Sequence, residues 1–271
     1  MRHLTAAIIA ITFLAAVPVS AQPIWLGDGE DHALTIEWHK PIFDDDDRVG
    51  FMMSTIILGY RSRTSENLTI VLDLPMSNYE YEGHTGQFLL GNPYVGLAFG
   101  NKNSELYGDV GVRLPITDDD PEKMNAVLIG TITEIDRLEM FLPNTVPVSG
   151  LLRYRTYSEN SNMGLRAHFG PSILVFTDDR GSDDMEVFLK YGLLGEYRAT
   201  SVRVQLGFTG IFNTTNDRGD FSDNSEHQLG FAVNFDAGGR VWPGVMLQLP
   251  LSEDRSEIIS MVLGLNAMIM L

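Results

Sequence analysis

The chain has 271 residues, no cysteine and a formal net charge of −17, and 44% of its residues are hydrophobic. A charge this negative argues against nucleic acid as a partner, because the phosphates would be repelled. A chain without cysteine forms no disulfide, so an exported protein of this composition needs another means of holding its strands together, such as a closed strand ladder.

The first 21 residues have the features of a secretory signal. Arg2 and His3 give a basic start, residues 6–17 are mostly apolar, and Val19, Ser20 and Ala21 offer a small-residue cleavage site. We therefore expect a signal peptide over residues 1–21 and one mature domain over residues 22–271. No later run of 18 apolar residues occurs, which excludes a helical inner-membrane protein.

Residues 187–212 carry the clearest structural pattern. From 202 to 209, apolar residues at even positions alternate with polar residues or glycine at odd positions, and residues 187–198 alternate in the same way. A period of two predicts strands with one apolar and one polar face. Only Ala199 and Thr200 separate the two segments, which predicts a tight hairpin with Glu196 directly opposite Arg203 as an inward ion pair.

Similar segments recur along the mature chain and predict twelve strands. They cover residues 33–41, 51–61, 68–75, 89–100, 105–115, 146–157, 163–175, 186–198, 201–212, 228–235, 241–251 and 258–271. The connections alternate between short and longer ones, which is typical of outer-membrane barrels. We predict an all-β fold: a closed antiparallel transmembrane β-barrel with its apolar faces toward lipid, its polar faces toward the lumen, and its first and last strands paired.

The longest connection spans residues 116–145. Asp120 followed by Pro121 resembles a helix start, and apolar residues then recur at helical spacing. We predict a helix over residues 121–141 in this extracellular loop, where it could cover the mouth of the barrel or reach into it. In the competing interpretation residues 126–133 form another strand, which gives fourteen strands.

Most acidic residues fall in the six longer connections, and the summed acidic and basic charges of these connections account for the net charge of −17. Residues 44–47 and 178–184 could offer oxygen ligands to Ca²⁺, but their spacing matches no calcium-binding loop. We expect a solvated acidic surface, or one bridged by divalent ions to lipopolysaccharide. The sequence predicts no resident metal and no cofactor.

Three short motifs carry a resemblance to a known family. They are GNPYVGL at residues 91–97, GDVGVRLP at residues 108–115, and the stretch from Glu66 to Pro75. Together they resemble the outer-membrane barrels assigned to the MetA pathway of phenol degradation. The resemblance implies a transporter-like barrel, comparable to fatty-acid and aromatic-hydrocarbon channels, with no catalytic residues.

Charged and aromatic residues on the polar faces are the candidate lumen and selectivity residues. They are Glu37, Asp73, Tyr94, Tyr107, Asp109, Arg113, Arg153, Arg155, Arg166, Lys190, Glu196 and Arg203. Such a set could select a polar or anionic solute. It could equally form a salt-bridge network that fills a narrow lumen, and the interleaving of acids with bases favours this second interpretation.

We do not expect an enzyme. His168 and Ser172 share a strand face, but this face points into the lumen, whereas a lipid-hydrolysing site would face the membrane. The sequence instead predicts passive uptake of a small solute across the outer membrane of a Gram-negative-type bacterium, and the family resemblance implies that this solute is hydrophobic or aromatic. The alternative is a structural or adhesive barrel with acidic loops and a plugged lumen.

Overall fold

The structure, a computed structural model, describes residue 25 and residues 32–43, 53–83, 85–100, 104–117, 119–158, 161–178, 184–216 and 220–271. The predicted signal peptide and the acidic residues 44–47 lie outside these ranges. No helix within them is long and apolar enough to cross a membrane.

The described residues form thirteen antiparallel strands. These are β1 (His32–Ile42), β2 (Ser54–Ser65), β3 (Leu68–Tyr79), β4 (Gln87–Leu90), β5 (Tyr94–Phe99), β6 (Leu106–Arg113), β7 (Thr145–Tyr157), β8 (Met163–Phe176), β9 (Met185–Arg198), β10 (Val202–Asn213), β11 (Ser225–Phe235), β12 (Val241–Pro250) and β13 (Met261–Met270).

Twelve of these strands close into a ring. β1 pairs with β2 on one side and with β13 on the other, where Ala33 lies opposite Met270. The remaining neighbours follow chain order, and β2 also pairs with β3. The short β4 is an additional strand that pairs only with the end of β3. The predicted closed twelve-stranded barrel is confirmed, and closure leaves its ring without a free strand edge.

The single strand predicted over residues 89–100 is wrong in one respect, because the chain leaves the ladder between β4 and β5. Gly91 N donates to Pro75 O at 2.9 Å, and Asn92 N donates away from the sheet to Met140 O at 2.6 Å. Pro75 was expected to end its strand, yet β3 continues to Tyr79. Its missing N–H is tolerated because Pro75 lies where β3 changes partner from β5 to β4.

The helix predicted over residues 121–141 is present in three pieces. A 3-10 turn (Pro121–Lys123) leads into helix α1 (Met124–Thr133), and a second 3-10 turn covers Ile135–Met140. Glu134 interrupts the run with φ −129° and ψ 74°. Since residues 126–133 are helical, the fourteen-strand alternative is wrong. We call residues 121–141 the plug segment, for the position described below. A second short helix, α2, covers Glu253–Ser256.

The barrel is apolar outside and polar inside. In β1, for example, Leu34 and Ile36 are 40% and 44% exposed, whereas their neighbours Thr35 and Glu37 are buried. The same alternation recurs in strands all round the ring, with leucine, valine and aromatic residues on the outer face. A water-soluble protein would place these faces the other way round, so the outer surface fits a lipid environment.

The β9–β10 hairpin keeps the predicted faces but has a different register. Arg203 pairs with Arg198, and Gln205 pairs with Glu196, so the register is shifted by two residues from the prediction. A two-residue turn needs residues that tolerate positive φ, and Ala199 and Thr200 do not. The turn is therefore longer, and Ala199 N donates to Val202 O at 2.8 Å. A shift of two preserves facing, so Glu196 and Arg203 still meet inside the barrel.

Candidate functional site

The lumen has two unlike halves. The long-loop rim carries the connections after β1, β3, β6, β8, β10 and β12, and the opposite, short-turn rim carries the tight turns. The plug segment enters from the long-loop rim and fills that half of the lumen. Its buried residues include Ala126, Ile129, Met140 and Phe141.

An apolar cluster holds one side of the plug segment. Val127 and Phe141 pack with Ile57 of β2 and Leu89 of β4. Ser77 on β3 adds a polar contact by donating to Ala126 O at 2.7 Å. This side of the plug is thus attached to the wall formed by β2, β3 and β4.

Ion pairs to the neighbouring strand β1 add to this attachment, and Arg137 is central to them. Its Nη1 and Nη2 atoms donate to Glu37 Oε1 and Oε2 at 3.0 and 2.9 Å, and Nη2 also lies 2.5 Å from Glu134 Oε2. His39 Nδ1 lies 3.1 Å from Glu134 Oε2. Burial opposes ionisation of Glu134, but Arg137 and His39 together hold the pKa of this carboxyl below its ordinary value. Glu134 and Arg137 of the plug segment are therefore both ionised where they contact β1 of the barrel wall.

Glu37, His39 and Glu134 also have the spacing of a metal site, since one donor atom of each lies within 4.8 Å of the others. The Arg137 guanidinium, however, already contacts both carboxylates. A cation here would compete with Arg137 for the same oxygens. We therefore assign the cluster to docking of the plug segment.

A second ion-pair group centres on Glu139. Lys190 Nζ donates to Glu139 Oε1 at 2.6 Å, and Arg113 Nε lies 3.8 Å from the same oxygen. Arg113 Nη2 also lies 3.6 Å from Asp73 Oδ2. Burial opposes ionisation of Glu139, but Lys190 and Arg113 keep its pKa below the ordinary value. Four predicted lumen residues thus contact the plug segment directly or through one neighbour: Glu37, Asp73, Arg113 and Lys190.

The third attachment comes from the loop after β12. Arg255 of α2 donates from Nε to Ile132 O at 2.8 Å, and its Nη1 donates to Gln228 Oε1 at 3.0 Å. A cation at the last carbonyls of α1 is favourable because the helix C-terminus carries partial negative charge. Gln228 Nε2 in turn donates to Asp136 Oδ2 at 2.7 Å. Burial, with a smaller contribution from Glu134, raises the pKa of Asp136 to about 6.

The motifs at residues 91–97 and 108–115 form the seat of the plug segment. Asn92 Nδ2 donates to Leu142 O at 2.8 Å, and its Oδ1 accepts from Thr117 N at 3.0 Å. The Tyr94 ring lies across Gly96 and Gly111, where an added Cβ would come within 2.4 and 2.3 Å of the ring. These glycines therefore leave room for Tyr94, and Arg113 lies 5.3 Å from the ring centroid.

The short-turn half of the lumen carries an arginine cluster. We call Arg153, Arg155, Arg166, Arg198 and Arg203 the arginine basin; they project inward from β7, β8, β9 and β10. Glu196 is the acid at its centre. Arg203 Nε and Arg166 Nε lie 3.2 and 3.4 Å from its carboxylate, and Arg198 Nε also donates to it.

Aromatic rings lie beside the basin. The Arg155 guanidinium lies 4.6 Å from the Tyr107 ring centroid, Arg198 lies 4.3 Å from that of Tyr157, and Arg203 lies 5.3 Å from that of Trp242. These distances are within cation–π range. This part of the lumen therefore presents positive charge and flat apolar surface together.

All twelve predicted lumen residues face inward. Eleven are buried and Tyr107 is half-buried. Some of them lie near the plug segment in the long-loop half, and the others lie in or near the arginine basin in the short-turn half. His168 and Ser172 also face inward and are buried. Whether any of these residues selects a solute stays a prediction.

The partners supplied by the loops could not be recognised from the sequence. Glu134, Asp136, Glu139 and Arg255 fall in the connections predicted to form an outer acidic surface, whereas the structure buries them in the lumen. One signal was available: these charges alternate with buried Ile135 and Met140, which a solvated loop would not need.

The fold is that of outer-membrane channels. No protein-family model and no curated protein sequence matches the chain. The COG4313 outer membrane channel from Pseudomonas putida F1 superposes with a TM-score of 0.61 at 12% identity, over 92% of this chain and 99% of that one. The NanC porin superposes with a TM-score of 0.56 at 7% identity, over 89% of this chain and 100% of that one. Identities this low show the fold alone, so the resemblance to the phenol-degradation family stays a prediction.

Proposed function

We propose that the chain is a passive outer-membrane channel for a small solute, closed at its long-loop rim by the plug segment. The observation that carries this proposal is how the long-loop half of the lumen is filled. Its filling is a segment of loop docked by ion pairs, in addition to the side chains of the wall. A docked loop can leave without breaking the strand ladder, whereas wall side chains cannot.

The proposed orientation places the long-loop rim at the cell surface and the short-turn rim in the periplasm, as in barrels of this type. The apolar outer face would then contact lipid, and the acidic loops would lie near lipopolysaccharide. The solute is proposed to be aromatic or hydrophobic in part, which rests on the family resemblance. Tyr107 and Trp242 in the short-turn half would provide contact surface for such a body. The activity is transport without catalysis.

Replacing residues 121–141 by a Gly/Ser linker tests the proposal. The strands of the ring pair with one another and not with this segment, so the barrel should still fold and migrate as a heat-modifiable species on a gel. In planar bilayers the variant should conduct continuously, whereas the full chain should show brief openings. Flux of a labelled aromatic solute into liposomes should rise in parallel.

A structural or adhesive barrel is the alternative, and the extensive burial of inward charged groups favours it. Under this alternative the lumen would stay closed without the plug segment, because the arginine basin would fill the remaining half. Background conductance and background solute flux in both the full chain and the folded linker variant would therefore refute the channel proposal and support the structural one.

A further inference from the structure

Trp25 lies inside the barrel, although it belongs to none of the thirteen strands. The residue is only 3% exposed and packs with Leu194 of β9, Ala232 of β11 and Met246 of β12, which all face inward. Its backbone carbonyl accepts a hydrogen bond at 2.6 Å from the side-chain amide of Gln205. A tryptophan from outside the strand ladder therefore occupies a place in the lumen.

Gly230 of β11 makes the space for this ring. An added Cβ at Gly230 would come within 2.2 Å of two carbons of the six-membered ring of Trp25. Gly207 of β10 lies directly opposite Gly230, and the Leu194 side chain takes the space that a Cβ of Gly207 would need. Two neighbouring glycines therefore leave a recess in the wall for one aliphatic side chain and one flat ring. We call the part of this recess that holds the Trp25 ring the ring slot; it is formed by Leu194, Gly230, Ala232 and Met246.

The polar atoms at the ring slot are not matched to Trp25. Among the residues that the structure describes, Trp25 Nε1 is buried without a hydrogen-bond partner. Gln248 of β12 lies directly opposite Gly230, and its Oε1 atom is a buried acceptor that also lacks a partner within the described part of the chain. Its Nε2 atom lies 3.8 Å from Met246 Sδ. The indole ring is therefore held by packing, while a buried acceptor at the slot stays unused, which is costly.

We infer that the ring slot is a binding site for an uncharged aromatic solute that carries a hydrogen-bond donor, and that this solute replaces Trp25 in it. This inference rests on the proposed function and names its class of solute and the place where that solute binds. A flat ring would take over the packing of the Trp25 side chain, and its donor would satisfy Gln248 Oε1. The four residues of the slot carry no charge, which favours an uncharged solute. Trp25 belongs to no strand, so it can leave without breaking the ladder.

Displacement of Trp25 by a solute is measured on the full chain in detergent. With 5-fluorotryptophan in place of tryptophan, the 3 tryptophans of the chain give separate fluorine NMR signals, and the Trp25 signal is the one absent from Trp25→Phe. The probes are indole and benzofuran, which has the same shape with oxygen in place of N–H. Saturating indole should move the Trp25 signal to the chemical shift of a solvent-exposed ring, and about tenfold more benzofuran should be needed for the same effect.

Variants locate the site by isothermal titration calorimetry. Trp25→Ala empties the ring slot and should bind indole about tenfold more tightly than the wild type, in which the tethered ring competes. Gly230→Val in the Trp25→Ala chain refills the slot and should reverse this gain. If that chain fails to fold, Gln248→Leu in the Trp25→Ala chain replaces it and should abolish the preference for indole over benzofuran. The matched control is Trp38→Ala, which removes an equal ring from the outer face of β1 and should bind indole like the wild type.

An unmoved Trp25 signal in the wild type, at an indole concentration about a hundredfold above the Kd of Trp25→Ala, would overturn the inference. So would equal binding of indole and benzofuran by Trp25→Ala. The channel proposal fails separately: displacement of Trp25 with background flux would leave the ring slot standing without transport. Equal indole flux into liposomes through the Trp25→Ala chain with and without Gly230→Val would leave transport standing and refute the slot as the binding site of the solute.

Discussion

Arg137 in the plug segment and Glu37 in strand β1 form a two-pronged ion pair inside the lumen, with N–O distances of 3.0 and 2.9 Å. The two residues are 100 positions apart in the chain, so this contact exists only when the plug segment is docked. It links the long loop to the first strand of the barrel, next to the apolar attachment, since Glu37 lies opposite Ile57 of β2 in the sheet.

Arg137→Met should release the plug segment. It leaves Glu37 and Glu134 buried without their shared cation, and removing one partner of a buried ion pair costs about 3–5 kcal/mol. Single-channel recording should show a large rise in open time, and proteolysis within residues 121–141 should become faster. Lys123→Met is the matched control, because Lys123 is an exposed cation at the start of the same segment. A closed, protease-resistant Arg137→Met variant would contradict the assigned docking role.

The pH dependence of docking should include a contribution from Asp136. Its pKa is raised to about 6 in the folded chain, against an ordinary 3.8. A carboxyl whose pKa is raised on docking stabilises the docked state at low pH, and this stabilisation is lost as the pH rises toward about 6. The linkage amounts to about 3 kcal/mol.

Glu134 and Glu139 act in the opposite sense. Their pKa values are lowered on docking, so their contribution is present above the ordinary value of 4.5 and is lost as the pH falls below it. Between about pH 5 and about pH 7 the change in docking should come from Asp136, whose stabilisation of the docked plug segment is lost. The open time of the wild-type channel should therefore increase over this range. Asp136→Asn, which preserves an acceptor for Gln228, should flatten this rise and remain more closed at neutral pH. If the open time of Asp136→Asn rises with pH as it does in the wild type, a group other than Asp136 causes the pH dependence.

Asn92→Ala should loosen the seat of the plug segment. The buried amide donates to two loop carbonyls and accepts from two loop N–H groups, so truncation leaves several buried polar groups unsatisfied. We expect a loss of about 2–4 kcal/mol in docking, seen as faster hydrogen exchange at residues 116–117 with the strands still protected. Asn92→Asp preserves the acceptor and removes the donors, so it should give an intermediate effect. Wild-type exchange in Asn92→Ala would refute this role.

Gly96→Ala should destabilise the barrel wall itself. The added Cβ would come within 2.4 Å of the Tyr94 ring, and overpacking of this kind costs about 1–3 kcal/mol in unfolding free energy. Urea unfolding in micelles measures the loss, and Tyr94→Ala in the same chain should recover part of it. Gly195→Ala is the control, since its Cβ would meet only Leu206 O at 3.8 Å. Equal stability of the Gly96 and Gly195 variants would show that the wall has room for the Cβ.

The strands of the barrel and the facing of their side chains could be predicted from the sequence, but the contacts between the loops and the lumen wall could not. Alternation along a strand depends on neighbouring residues alone, so the facing of Glu196 and Arg203 could be predicted although their register was shifted by two. Ring closure could be predicted because recurring strands with alternating short and longer connections are typical of outer-membrane barrels. The break at Gly91–Asn92 could not be predicted, because its cause is a contact with residues 139–142, far along the chain.

The sequence predicted that the long loop could reach into the barrel, but the contacts that dock it could not be predicted, for the same reason. Judged by their neighbours in the sequence alone, Glu134, Asp136 and Glu139 are typical of acids in a solvated loop. Only their partners in the folded barrel place them in the lumen. These partners, Arg137, Gln228 and Lys190, are supplied partly from distant strands β9 and β11. Charge and local spacing therefore identified the wall residues but assigned the loop residues to the wrong environment.

A reversible crosslink tests the central claim, that the plug segment closes the lumen and can leave it, most directly. The chain has no cysteine, and Ser77 of β3 already touches the backbone of Ala126 in the plug segment. A chain with Ser77→Cys and Ala126→Cys is oxidised, the disulfide is verified by mass, and conductance is recorded in one bilayer before and after reduction. We predict a silent oxidised barrel whose openings return to the wild-type level on reduction. Equal conductance in the oxidised and reduced states would contradict the account.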